Sequence, residues 1–327
     1  MISQIQRRAF IIVILGFLVA FSSCNRQQPS VKTVAIATLM SHPAIDQVAH
    51  GIKTELDREG WKEGINIRYV DRNANQQMTV VPTIASDLAA QNLDVIVGIT
   101  TPMAQALRRV VKSPLVFAAV TDPVGAGVVS DMTRPEPLVT GSSDAWPYRD
   151  QLLLIRQILP KAKTLGVLYN PGEAASQYGI QQIRHYAPEF SFSIIEASAN
   201  SVGDVVPAAQ SLIGRVDALF LSSDNTVIGG ATGAIKVAIA NHKALFAGDS
   251  GTVRIGALAS VSVGYEQLGI DTGRLVGRVL KGEKNIPIVV AQGSDVYINR
   301  KAAEMMGVTI PQAVVDHATK VYDTIGQ

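Results

Sequence analysis

Residues 32–60 read "KTVAIATLMSHPAIDQVAHGIKTELDREG", and the architecture follows from them. The first nine residues are an apolar, β-branched run without alternation, the pattern of a strand buried on both faces. From Pro43 the apolar residues change to helical spacing, and Gly60 closes the segment. A strand that runs straight into a helix is half of a βαβ unit, which implies a parallel sheet with helices on its faces.

The same alternation continues downstream. "NIRYVDRN" (66–73) precedes "MTVVPTIASDLAAQN" (78–92), "LDVIVGIT" (93–100) precedes "TPMAQALRRVV" (101–111), and "PLVFAAV" (114–120) runs into "TDPVGAG" (121–127). Loops to about residue 142 separate this series from a second one. There, "TLGVLYNP" (164–171), "FSFSIIEAS" (190–198) and "VDALFLSSD" (216–224) are each followed by a helical segment, the last being "TVIGGATGAIKVAIANH" (226–242). The fold class expected is therefore α/β, with two Rossmann-like lobes and parallel sheets.

In such sheets ligands sit beyond the carboxyl ends of the strands. Those ends carry "SHPA", "TTP" and "TDPVGAG" in the first series, and "NPGEAAS", "SSDNT" and Asp249 in the second. Hydroxyls and amides at helix starts favour an anion through free N–H groups and the helix dipole. Free carboxylates on the same side suit a cation, so the combination fits a zwitterion such as an amino acid. Each of these side chains is also an ordinary helix cap; the argument rests on their lying on one side of the sheets.

Catalytic patterns are missing. The chain has no G-x-S-x-G elbow and no G-x-x-x-x-G-K-[ST] loop. His42, His50, His185, His242 and His317 show no metal-ligand spacing, and no cofactor or metal is expected. Asp122, Asp224 and Asp249 have neither a nucleophile nor a metal set beside them, which favours ligand recognition over acid–base work.

The amino terminus carries a different message. Arg7 and Arg8 precede a run of thirteen mostly apolar residues, Ala9 to Phe21, and then Ser22, Ser23 and Cys24, the one cysteine. That run is shorter than the roughly 20 residues of a spanning helix and has the order of a secretory signal. "FSSC" resembles a bacterial lipobox, with Phe21 where leucine is typical. Residues 1–23 are thus expected to be a lipoprotein signal peptide, Cys24 the lipidated first residue of the mature protein, and 24–30 a tether. The body would work outside the cytoplasmic membrane, lipid-anchored. Without Arg7 and Arg8 the 29 basic residues become 27, against 27 acidic ones. With no net charge and no basic stripe, no nucleic acid is expected as a partner.

In the order "SHPAID", "ITTPMAQAL", "VFAAVTDPVGAGVV", "LVTGSSD", "GVLYNPGEAAS", "LFLSSDNTV", "FAGDSGTVRIGALA", "LGIDTGRLVGRVLKG" and "INRKAAEMMG", the chain resembles the ABC-transporter substrate-binding protein family associated with tryptophan, tyrosine and phenylalanine uptake. The resemblance covers nearly everything after residue 31. It implies a type I periplasmic-binding-protein fold with three hinge crossings, near residues 141–145, 246–250 and 288–294. Lobe 1 would be 31–142 plus 250–290, and lobe 2 would be 143–249 plus 291–327. Departures from the family pattern fall at Ser41, Ala175, Val261 and Gly264, the last two of which should lie close to the cleft.

On that frame Thr100 and Thr101 should meet a ligand carboxylate. Thr121 and Asp122 border the cleft from the first lobe, and Asp224 and Asn225 face them. Asp224 or Asp249 would hold an ammonium. Asn170, Glu173 and Ser176 would contact ligand or the opposing lobe, His42 would stack or hydrogen-bond at the cleft mouth, Ser41 is a further ligand-binding candidate, and Tyr265, with Trp146 and Tyr148, would supply an apolar wall. The function implied is a solute receptor delivering an amino acid or similar small polar solute to ABC permease subunits, and not an enzyme. A sensory module presenting ligand to a receptor, or a lipid-anchored enzyme on the same scaffold, are the other readings.

Overall fold

The computed structural model describes residues 31 to 326. The expected signal peptide, tether and Cys24 lie outside the described residues. In chain order come β1 (Lys32–Thr38), α1 (Pro43–Arg58), β2 (Ile67–Asn73), α2 (Val81–Ala89), β3 (Val95–Ile99), α3 (Thr101–Val110), β4 (Leu115–Ala118) and β5 (Val139–Ser143). The second series is α4 (Tyr148–Ile158), β6 (Thr164–Tyr169), α5 (Ala174–Tyr186), β7 (Ser193–Ser198), α6 (Val205–Leu212), β8 (Ala218–Leu221), α7 (Asn225–Gly229), α8 (Ala231–Ala240) and β9 (Ala244–Ala247). The chain ends with α9 (Ser250–Arg254), β10 (Ala259–Val263), α10 (Tyr265–Leu280), β11 (Val289–Val290), β12 (Gly293–Asn299), α11 (Arg300–Met306), α12 (Gln312–Asp316) and β13 (Lys320–Tyr322).

The first lobe is a six-stranded sheet in the order β11-β5-β4-β3-β1-β2, parallel throughout. Alternation along β1 explains its two covered faces: Val34 and Ile36 join one core, Ala35 and Ala37 the other. On the first face α1 packs against α10 so closely that a Cβ on Gly51 would stand 2.6 Å from the Glu266 carbonyl oxygen. Fully buried Ile52 and Leu56 of α1 each add about 1.5–3 kcal/mol of apolar burial. The second lobe is a four-stranded parallel sheet, β7-β6-β8-β9, with its own core.

Two expectations from the sequence need correcting. "TVIGGATGAIKVAIANH" is not one helix but two, α7 and α8, parted at Gly230, where a side chain would meet Val205 Cβ at 2.6 Å. The sheets are also not all parallel: β10 runs antiparallel to β12, which in turn pairs in parallel with β13. The reason is topological. β10 carries the chain out of the second lobe and β12 carries it back, so the two lie side by side in opposite directions.

The boundary expected at residues 246–250 also moves. Val253, Ala257, Leu258, Ala259 and Val261 pack into the second lobe's core, and Val263 is the first residue to join the other. The second passage between the cores is therefore at 261–265, because α9 and β10 cover β9 before the chain leaves. The other passages run from Ser143 on β5 to Trp146, and from Ala291, packed on the first core, to Val296, packed on the other.

Candidate functional site: a cavity between the lobes

The carboxyl ends of β1, β3, β4, β5, β8 and β9 meet in one cavity of about 440 Å³, counted to its open mouth. The first lobe contributes His42, Thr100, Thr101 and Thr121, the second Asp224, Asn225 and Asp249, and the passages between them Asp144, Trp146 and Tyr265. Met40, Ile45 and Ile228 supply apolar lining.

The backbone is strained where it enters this space. Thr100 has φ +82° and Ala119 has φ +51°, a region that a β-branched residue such as threonine rarely adopts. Such strain concentrates at functional sites. Thr100 precedes α3, whose first-turn N–H groups have no partners within the helix, and Pro102 in that turn has no N–H to leave open. Thr100 Oγ1 is buried and has no hydrogen-bond partner among the described residues.

Three carboxylates line the cavity and differ in what occupies them. Asp224 caps α7, accepting from Val227 N at 2.8 Å, and its other oxygen accepts from Asn170 N. Burial, then repulsion from Glu173, pushes its carboxyl up. Asp249 caps α9 by accepting from Thr252 N at 2.7 Å, and its Oδ2 is buried without a partner among the described residues. Asp144 is engaged on both sides: Thr121 Oγ1 and Tyr265 OH each donate to it at 3.1 Å. Burial pushes its carboxyl up to about 6, against the pull of those two hydrogen bonds.

Other expected residues do local work instead. Ser41 is exposed and donates to Asp46 at 2.8 Å. Asp122 accepts from Gly125 N at 2.9 Å in its own turn. Glu173 accepts from Asn225 N and Nδ2, Thr226 N and Thr226 Oγ1, tying the β6–α5 loop to α7. Asn170 N also donates to Ser176 Oγ at 3.0 Å. None of these five lines the cavity, because their polar atoms are taken up by turns and helix starts. Tyr148 is buried in the second core, not on the wall. Of the departures from the family pattern, Ala175 lines the cavity and Val261 and Gly264 do not; both of the latter lie on the second passage.

Sequence reasoning missed Asp144, Ser223 and Met40. Asp144 ends "VTGSSD" at the carboxyl end of β5, so the strand-end rule would have found it had it been applied to that strand as well. Ser223 precedes Asp224 and meets Thr121 Oγ1 at 3.0 Å across the cleft. Among the described residues no cluster of His, Cys, Asp and Glu has metal-binding geometry.

Comparison with known proteins places this geometry in a family. Residues 33–322 match the model of the ABC transporter substrate binding protein family. A tyrosine-binding protein of Clostridioides difficile is 34% identical over 280 residues, covering 84% of this chain and 81% of that one. The structure of an ABC domain in complex with L-Trp from Streptococcus pneumonia superposes with a TM-score of 0.86 at 31% identity, over 89% of this chain and all of that one. A ligand-free, open substrate binding protein with adhesive properties from Clostridium difficile gives 0.68 at 32% identity, over 90% of this chain and all of that one. The chain has a type I periplasmic-binding-protein fold and belongs to the ABC transporter substrate-binding protein family.

Proposed function

We propose that this protein is an extracytoplasmic receptor that closes around an aromatic amino acid and hands it to ABC permease subunits. The observation that carries the reading is a pair of unpaired, buried polar atoms in one cavity, Asp249 Oδ2 and Thr100 Oγ1. A buried carboxylate oxygen without a donor is costly, and a ligand ammonium would satisfy it. A ligand carboxylate would take Thr100 Oγ1 and the free N–H groups at the start of α3. Between Asp224 and Asp249, the sequence's two candidates for the ammonium, the free oxygen favours Asp249. Trp146, Tyr265, Met40, Ile45 and Ile228 then offer the apolar surface that an aromatic ring would bury.

Contacts from both lobes to one ligand favour the closed form, so ligand and closure reinforce each other. The ligands of the two relatives, tyrosine and L-Trp, support the aromatic class. Ala175 is the family departure that bears directly on ligand choice, since it alone of the four lines the cavity.

The test is thermal unfolding and calorimetry of the chain from Asn25 onward with L-tyrosine, L-tryptophan, L-phenylalanine, L-leucine, D-tyrosine and hexoses. At one hundred times its dissociation constant a ligand adds about 2.7 kcal/mol. Stabilisation by L-aromatics and not by D-tyrosine is expected. Stabilisation by a hexose with none by any amino acid overturns the reading. The lipid anchor is tested by mass spectrometry of the native protein and by Cys24→Ala, which should release it from the membrane fraction; an unmodified Cys24 removes that part.

A further inference from the structure

We propose that Asp144 is the positioning residue of the cleft: a single ionised acceptor on which a hydrogen-bond chain spanning both lobes converges, so that a proton taken up there weakens ligand binding. The proposal rests on the amino-acid reading of the site and adds its regulation.

The directions of the hydrogen bonds follow from a count of donors. Trp146 Nε1 can only donate, and it meets Tyr265 OH at 3.0 Å. The single phenol proton of Tyr265 is then directed to Asp144 Oδ2 at 3.1 Å. On the other side Thr121 gives its one proton to Asp144 Oδ1 at 3.1 Å. The 3.0 Å contact between Thr121 Oγ1 and Ser223 Oγ must therefore be donated by Ser223. Two of these residues, Asp144 and Trp146, lie on the first passage between the lobes; Tyr265 ends the second. Thr121 follows β4 in the first lobe and Ser223 follows β8 in the second. Every donor in the chain points toward one carboxylate.

Protonation reverses one of these directions. A carboxyl proton aimed at Tyr265 would face an oxygen that already accepts from Trp146, and would leave the phenol proton without its acceptor. Aimed at Thr121, it would turn round the contact across the cleft. Either way the cavity also loses a negative charge that would face a ligand ammonium. The groups that look toward Asp144 are Asp249 from the start of α9, Tyr265 from α10 and Tyr148 from α4. His42, at the start of α1, and Asp224, at the start of α7, share the cavity.

Burial holds the Asp144 carboxyl up near 6, above the ordinary carboxylate range. A ligand cation favours the ionised form, so binding must expel a proton wherever the free cleft carries one. Affinity is then flat above that value and falls below it, by up to about tenfold per pH unit for one linked proton.

Two measurements test this, one needing no ligand. The chain has two tryptophans, Trp61 and Trp146, so Trp61→Phe leaves Trp146 as sole reporter. Its fluorescence between pH 4.5 and 8 should show one transition that vanishes when Asp144→Asn is added. Tyr265→Phe, which removes one donor to the carboxylate, should move that transition to higher pH, and this holds even if Asp144→Asn folds poorly. In calorimetry with L-tyrosine or L-tryptophan, the native chain should lose about tenfold in affinity from pH 7 to pH 5. Asp144→Asn should abolish that loss, and His42→Asn should keep it. A loss that survives Asp144→Asn, or a flat Trp146 signal, overturns the proposal. A Trp146 transition with no amino acid bound at any pH would instead leave the hydrogen-bond chain standing and remove the amino-acid reading.

Discussion

His42 Nε2 stands 3.9 Å from Asp249 Oδ1 and 3.4 Å from Thr252 Oγ1. A side chain from the end of β1 thus closes against the start of α9, and a Cβ on Gly251 would lie 2.6 Å from His42 Cε1. This contact brings Asp249 to the cavity with one oxygen spent on its cap and the other free.

Asp249→Asn keeps an oxygen to accept from Thr252 N but loses the charge. It should weaken amino-acid binding by about 2–4 kcal/mol while changing unfolding free energy by less than about 1 kcal/mol. Asp224→Asn should behave in the opposite way, because both of its oxygens already accept from backbone N–H groups. An amide nitrogen placed there faces a donor and costs about 1–3 kcal/mol of stability. Calorimetry and urea unfolding on both variants separate the roles; equal effects on affinity would refute the assignment of the ammonium to Asp249.

Thr100 holds φ +82° with a β-branched side chain and an unpaired hydroxyl. Thr100→Gly should raise stability in urea by about 1 kcal/mol, since glycine relieves the strain, and should weaken ligand binding. A less stable variant would mean that the threonine side chain holds the turn.

Trp146 packs against Gly248, where an added Cβ would stand 1.8 Å from Cε3. Gly248→Ala should cost about 1–3 kcal/mol through overpacking and should displace the Trp146 ring, shifting its fluorescence in a Trp61→Phe background. An unchanged spectrum would mean that the ring has room to yield.

Glu55 on α1 is buried and ion-paired with Arg58 at 2.6 Å and with Arg274 of α10 at 3.0 Å. The Arg58 hydrogen bonds lead in holding its carboxyl down to about 2, against burial, and Arg274 adds to the pull. A depressed carboxyl stabilises the fold above its unfolded value of 4.5, and that contribution is lost as pH falls from there toward 2. Acid unfolding of Glu55→Gln should therefore show a shallower fall below pH 4.5. The variant should be only about 1–2 kcal/mol less stable at pH 7, because Arg58 is about two-thirds and Arg274 about half exposed. Superimposable acid curves for the two proteins would count against the pairing.

How far the sequence could be read depended on how local each feature is. β1, α1 and the strands around them were legible because a buried strand and an amphipathic helix announce themselves in residues next to one another. His42, Thr100, Thr101, Thr121, Asp224, Asn225 and Asp249 were legible because strand ends face one side of a parallel sheet, Tyr265 only through the family resemblance, and all eight line the cavity. Ser41, Asp122, Asn170, Glu173 and Ser176 satisfied the same rule and do not, since a short polar side chain at a helix start serves a cap as well as a ligand.

The alternation of apolar strands and helices, with polar strand ends, was sufficient to specify the α/β class, the two parallel sheets and the side on which a ligand would bind, but not the third, mixed sheet of β10, β12 and β13. Where the chain passes between the lobes was left to packing: residues 250–261 hold apolar side chains that could cover either sheet, and which core they join depends on the surfaces they meet. Packing likewise made Asp249 the free carboxylate and Asp144 the shared acceptor. The contacts that separate them, Thr121 with Ser223 and Tyr265 with Asp144, join residues more than a hundred positions apart, and the spacing of residues along the chain carries no record of such pairs.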